Sequence, residues 1–153
     1  MTGNETLDPY EYDCTVFLVD DDEDDRKFFA EALKEADAKV QLILFSSGKE
    51  LLAHLHSDEP LPDIIFLDLY MPEMSGETCL SHIRTEEQFD SISLVIYSTV
   101  MNLSRVEALF NSGVQRYLRK PSSFRVLKNA LKKAIESVRK NPLGGQAIIN
   151  YSE

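Results

Sequence analysis

The chain has 153 residues, 43% of them hydrophobic and 27% charged, with a formal net charge of −10. That length and balance describe about one globular domain with a single core, and the sign of the charge disfavours nucleic acid as a partner. No apolar stretch approaches the ~20 residues of a membrane span, Met1 to Asp13 reads as an extension and not a signal peptide, and the distant Cys14 and Cys79 point to a reduced, cytoplasmic setting.

The elements alternate along the chain. Val16-Phe17-Leu18-Val19 reads as a first strand, followed by Phe28, Phe29, Ala32, Leu33 and Ala36 at helical spacing. Val40 to Phe45 reads as a second strand, and Ser46 or Ser47 can cap the helix carrying Leu51, Leu52 and Leu55. Pro60 and Pro62 end that helix before a third strand, Ile64 to Leu67. Glu77 to Glu86 reads as the third helix and Ile92 to Tyr97 as the fourth strand. The fourth helix has the stripe Leu103, Val106, Leu109 and Phe110, with Gly113 as its C-terminal cap. Val114 to Leu118 is the fifth strand; Ser122 or Ser123 starts a last helix striped by Phe124, Leu127, Leu131, Ala134, Ile135 and Val138. Asn141-Pro142-Leu143-Gly144-Gly145 breaks it, and Ile148-Ile149 beyond it reads as part of a frayed, short tail.

Strands separated by helices predict βαβ units and a parallel sheet. Ligands bind such sheets beyond the carboxyl ends of the strands. There this chain places Asp20 and Asp21 after the first strand, Asp68 after the third, Ser98 and Thr99 after the fourth and Lys120 after the fifth. With the first and third strands adjacent, Asp21 and Asp68 lie about 5 Å apart in backbone spacing, and Lys120 is roughly 10 Å from Asp68, a gap only a long side chain spans. Three carboxylates, a hydroxyl and a lysine suit a metal ion and a phosphoryl group.

At these residues the chain resembles the response-regulator receiver domains, the CheY-like family. The resemblance rests on the acidic pair Asp20-Asp21, the run Asp68-Leu69-Tyr70-Met71-Pro72-Glu73-Met74-Ser75-Gly76, Ser98, and Lys120-Pro121, in that order along the chain. It implies a five-stranded parallel sheet flanked by five helices in the flavodoxin-like order 2-1-3-4-5. It also implies an N-terminal extension over 1–13, a receiver domain over 14–140 and a C-terminal tail over 141–153.

The implied function is two-component phosphorelay signalling by a stand-alone receiver, not an enzyme with a separate substrate. Asp68 would take a phosphoryl group from the phosphohistidine of a sensor kinase or a histidine phosphotransfer protein. Asp21, Asp68 and the backbone carbonyl of Tyr70, with Asp20 through a water, would hold Mg²⁺, with Lys120 and Ser98 meeting the phosphoryl oxygens. Ser98 and Tyr117 would form the switch, Ser98 moving toward the phosphoryl group and Tyr117 rotating from an exposed to a buried position. The Lys120-Pro121 bond would be cis. Output would pass to a protein target through the fourth helix, fifth strand and fifth helix, including Tyr117, Arg125, Lys128 and Lys132, with no nucleic acid or membrane partner.

Ser98 stands where the family most often has threonine, and Thr99 where it has a very small residue. Tyr70, two residues after Asp68, sits where a side chain can hinder or orient attacking water. Three other readings compete. The run Asp20 to Asp25 with Glu31 partly fits an EF-hand loop, but position six is Asp25 where glycine belongs. The haloacid-dehalogenase phosphatases need an aspartate where this chain has Tyr70. A pseudo-receiver that binds partners without phosphorylation is the rival among binding modules. Asp22, Asp24 and Asp25 read as a solvated helix start that suits the helix dipole. The acidic excess up to Asp37, thirteen residues against three basic, surrounds the metal site, and the basic excess from Arg116 onward, nine against two, is mostly on the last helix. That helix reads first as a solvated face, with a docking surface as the sharper alternative.

Overall fold

The computed structural model describes residues 12–99 and 102–150. The expected N-terminal extension thus lies mostly outside the described residues. Within them the elements are β1 (Cys14–Val19), α1 (Glu23–Ala36), β2 (Val40–Phe45), α2 (Gly48–Leu55), β3 (Ile64–Leu67), α3 (Gly76–Arg84), β4 (Ser93–Ser98), α4 (Leu103–Asn111), β5 (Arg116–Arg119), α5 (Phe124–Lys140) and β6 (Ala147–Ile149), with a 3-10 turn over Glu87–Phe89. Each α-helix starts where a short polar side chain accepts a backbone N–H of its first turn. Asp22 accepts from Asp25 (2.9 Å), Ser47 from Glu50 (3.1 Å), Ser75 from Thr78 (3.2 Å), Asn102 from Arg105 (3.1 Å) and Ser123 from Val126 (3.4 Å). Such caps contribute about 1 kcal/mol each.

The strands pair in parallel in the order β2-β1-β3-β4-β5-β6. The first five strands follow the expected order, and five helices flank them. Both faces of the sheet are covered, which is why β3, Val16 to Val19 of β1 and Leu94 to Tyr97 of β4 form unbroken buried runs. Alternate residues divide between two cores. Phe17, Val19, Ile65, Leu67, Leu94, Ile96 and Tyr117 face α2, α3 and α4. Val16, Leu18, Ile64, Phe66, Val95, Tyr97 and Leu118 face α1 and α5.

The segment after α5 departs from the expectation of a frayed end. Residues 147–149 form a sixth strand beside β5, with Tyr117 opposite Ile148 and Leu118 opposite Ile149. The cause is Arg116, which is only 1% exposed. Its guanidinium donates to Ser137 Oγ (2.9 Å), to the carbonyls of Ser137 (3.1 Å) and Asn141 (2.7 Å), and at 3.3–3.4 Å to Ser93 Oγ and the carbonyls of Pro142 and Gly144. It therefore satisfies carbonyls left over at the end of α5 and folds the following turn back on the sheet. Gly145, at φ +66°, supplies the left-handed residue needed to enter β6.

Candidate functional site

The strand ends bring the acidic residues together through backbone bonds. Asp68 N–H donates to the carbonyl of Val19 (3.1 Å), Asp20 N–H to Phe45 (3.1 Å) and Lys120 N–H to Ser98 (2.8 Å). One carboxylate oxygen from each of Asp20, Asp21 and Asp68 lies within 4.8 Å of the others, with Asp20 and Asp68 buried and Asp21 exposed. Gly76 makes the loop after β3 possible. A Cβ there would lie 2.2 Å from the carbonyl oxygen of Asp68, so only glycine lets the start of α3 pass this close.

Lys120 crosses from the end of β5 as its length predicted. Its ammonium donates to Asp20 Oδ2 at 2.8 Å and Asp25 Oδ2 at 3.0 Å, and stands 3.5 Å from Asp68 Oδ2. Beneath it lies the ring of Tyr97, with its centroid 5.0 Å away. Burial works against the ammonium, but the bond to Asp20 and the charges of Asp20 and Asp68 outweigh it and raise its pKa. Asp68 is held in the opposite balance. Burial is the largest influence and pushes its carboxyl up to about 6, with Asp20 adding repulsion while Lys120 and the Tyr70 N–H (3.2 Å) oppose the rise.

The donor set is all oxygen and carries three formal negative charges, which suits a hard divalent cation. Asp20 is already well engaged, its Oδ1 accepting from Asp22 N–H (3.0 Å) and its Oδ2 from Lys120. That leaves Asp21 and Asp68 as the more available direct ligands. The three residues together can hold a divalent metal.

Ser98 is buried, and Tyr117 shares a side-chain hydrogen bond with it. Tyr117 is 1% exposed and packs among the apolar residues between β5 and α4. This corrects the expectation of an exposed tyrosine contributing to a docking surface. A buried phenol needs a partner for its hydroxyl, and Ser98 provides one. The peptide before Pro121 is likewise not cis, since no cis peptide occurs among the described residues. The ordinary trans preference of an X-Pro bond, about 0.5–1 kcal/mol, prevails there. Tyr70 is 48% exposed and Thr99 exposed, so both flank the mouth of the site. Arg105 of α4 donates to the Tyr70 hydroxyl and to Glu77 of α3, with its guanidinium carbon 5.0 Å from the Tyr70 ring centroid.

Reading the strand ends found the carboxylates, the hydroxyl and the lysine but passed over four contributors. Asp25, taken for a solvated helix start, reaches Lys120; it occupies the third position of α1, from which an acidic side chain turns back toward the helix start. Arg26 donates to the carbonyl of Asp20 (2.8 Å). Tyr97 and Arg105 carried no signal in spacing, because their roles depend on which elements become neighbours.

Comparison with known proteins agrees with this arrangement. The response regulator receiver domain family matches residues 16–132, most of the chain. The chain belongs to that family. As a receiver domain of two-component response regulators, it is a signalling module, and such domains interact with histidine kinases and downstream targets. The receiver is 30% identical over 125 residues to the sensor histidine kinase CheAY of Helicobacter pylori, covering 81% of this chain. It spans only 15% of that kinase's own length. It is also similar to the phosphorylated cyanobacterial phytochrome response regulator RcpA, with 25% identity, a TM-score of 0.74 and coverage of 86% of this chain and 96% of that one. The Mn²⁺-bound form of the response regulator Rcp1, a protein of Synechocystis, gives 25% identity and a TM-score of 0.70, covering 85% of this chain and 94% of that one. Among the described residues no helix is long and apolar enough to cross a membrane.

Proposed function

We propose that this receiver accepts a phosphoryl group on Asp68 from a phosphohistidine donor, either a sensor histidine kinase or a histidine phosphotransfer protein. The observation that carries the reading is the convergence of Asp20, Asp21 and Asp68 within 4.8 Å, with the Lys120 ammonium 3.5 Å from Asp68. A carboxylate oxygen of Asp68 attacks phosphorus. The bond from phosphorus to the donor imidazole breaks, its electron pair returns to the ring nitrogen, and an acyl phosphate forms. Lys120 meets charge on the phosphoryl oxygens, and Ser98 donates its hydroxyl to one of them. Asp21, Asp68 and the Tyr70 carbonyl are the proposed direct ligands of Mg²⁺, with Asp20 holding it through a water; the ion when bound supplies further neutralisation of that charge. The Mn²⁺-bound form of Rcp1 supports a divalent ion in this family.

The acyl phosphate carries about −1.5 to −2 charges where the Asp68 carboxylate carried −1, and it biases the Ser98–Tyr117 pair, and through it α4 and β5. The proposed output surface is α4, β5 and α5, with Arg125 and Lys132 exposed and Lys128 part-exposed beside Glu35 (3.8 Å). A cytoplasmic protein target, with no nucleic acid or membrane partner, fits the acidic net charge. Near-complete coverage of RcpA and Rcp1 supports a stand-alone receiver running from about residue 14 to 140, outside which β6 adds a strand to the sheet. Incubation with acetyl phosphate and Mg²⁺ should add the mass of one phosphoryl group, lost in Asp68→Asn and on chelation. Partner binding that persists in Asp68→Asn, with no labelling of the parent protein, would instead identify a pseudo-receiver.

A further inference from the structure

Lys120 has three N–H donors, and three carboxylates surround them unequally. Asp20 and Asp25 accept at 2.8 and 3.0 Å, within or close to the range of charge-assisted hydrogen bonds, whereas Asp68 stands off at 3.5 Å. The Lys120 side chain is 10% exposed, and the Tyr97 ring closes the space beneath its ammonium. Asp25 is different from its two rivals. Its side chain is 46% exposed and it projects from the first turn of α1, on the solvent side of the site. Water can therefore rehydrate Asp25 when Lys120 leaves it, while buried Asp20 and Asp68 have no such recourse.

We propose that Asp25 is a positioning residue that draws the Lys120 ammonium away from Asp68 and so lowers how tightly a phosphoryl group is retained there. The inference rests on the reading of Asp68 as phosphoacceptor. A phosphoryl group on Asp68 brings new anionic oxygens next to Lys120 and competes with Asp25 for it. The bond to Asp25 is lost on phosphorylation and regained on hydrolysis, so its strength is subtracted from the stability of the phosphorylated state. Nothing covalent changes at Asp25.

Beryllofluoride titration at saturating Mg²⁺ tests this. Asp25→Ala should bind about two- to fivefold more tightly than the parent, the range for a partly exposed ion pair, and its acyl phosphate should last correspondingly longer. Asp25→Asn, which keeps an acceptor without the charge, should gain less. Asp24→Ala removes the same charge from the same helix turn and should not reproduce the gain. The gain should also vanish when Asp25→Ala is combined with Lys120→Met, a readout that a mere loosening of α1 would not produce. A parent that fails to bind beryllofluoride overturns the phosphoacceptor reading and this inference with it. A parent that binds, with Asp25→Ala unchanged or weaker, overturns the role of Asp25 alone. So does a gain shared by Asp24→Ala or retained without Lys120.

Discussion

Tyr117 and Ser98 share a hydrogen bond inside the protein, with the tyrosine ring packed between β5 and α4. The hydroxyl beside the proposed phosphorylation site and the aromatic residue beneath the proposed output surface are thus joined directly. In the proposed switch, a change at Ser98 therefore reaches Tyr117 directly, without a large rotation of the ring.

This pairing has a stability signature. Ser98→Ala strips a buried phenol of its partner, at a cost of about 1–3 kcal/mol, whereas replacing both polar groups removes the penalty. Urea unfolding should therefore show Ser98→Ala/Tyr117→Phe to be less destabilised than the sum of the two single changes. Additive losses would mean the bond contributes nothing. In spectra recorded with beryllofluoride, Ser98→Ala should also shrink the shifts around Tyr117 while Asp68 still binds.

Gly76 and Gly48 make a second test, because both lie at helix starts yet face different neighbours. A Cβ on Gly76 meets the Asp68 carbonyl at 2.2 Å, which is backbone and cannot step aside. A Cβ on Gly48 meets Met74 Sδ at 3.0 Å, the adaptable part of a side chain. Gly76→Ala should cost about 1–3 kcal/mol or more and also slow labelling by acetyl phosphate, since the strain lands on the backbone of Asp68, the proposed phosphoacceptor. Gly48→Ala should be milder and leave labelling intact.

The central strands and the chemistry at their ends were legible because both are local patterns. Ile64 to Leu67 is an unbroken apolar run, and Asp68 follows it wherever the strand goes. What the sequence concealed depended on long-range partners. Arg116 stood in the sequence only as one of the basic residues of the C-terminal third, and only the arrival of the carbonyls at the end of α5 reveals it as a buried hub. Without that hub Ile148-Ile149 had no reason to become a strand. Asp25 was one acid among six in a row, and its distinction comes from a lysine 95 positions away. Tyr117 was read as a switch aromatic starting from an exposed position, but its buried position depends on how α4 packs over β5.

Arg116 gives a prediction of its own. Its described hydrogen-bond partners are neutral oxygens, and burial lowers its pKa. Arg116→Met would keep much of the packing and take the guanidinium donor from the carbonyl of Asn141 and the hydroxyl of Ser137, costing about 2–4 kcal/mol. Arg116→Lys should rescue little, since an ammonium cannot reproduce the guanidinium fork. Hydrogen exchange should show protection lost first at residues 147–149, with the amides of β1 and β3 little changed. Uniform loss across the sheet would mean that β6 does not depend on this residue.

The last prediction concerns pH. His56 places Nδ1 2.8 Å from the carbonyl of Leu52 and Nε2 2.7 Å from Glu86 Oε2. Both partners are acceptors, so only the imidazolium, with a proton on each nitrogen, satisfies both. The hydrogen bond to Glu86 is the main cause that raises the His56 pKa above 6.5, and the same bond lowers that of Glu86 below 4.5. For His56, a raised folded-state pKa means stabilisation that is complete below 6.5 and lost as pH rises through the folded value. For Glu86, a lowered one means stabilisation present above 4.5 and lost as pH falls through its folded value. The pair therefore stabilises the fold most between those two limits. Its effect is modest because both side chains are substantially exposed, and added salt should reduce it. Thermal unfolding of the parent and His56→Gln should differ most between pH 4.5 and 6.5 and converge as pH rises through the raised His56 value. A difference that instead grew with rising pH would show that the neutral imidazole, and not the ion pair, is what His56 contributes.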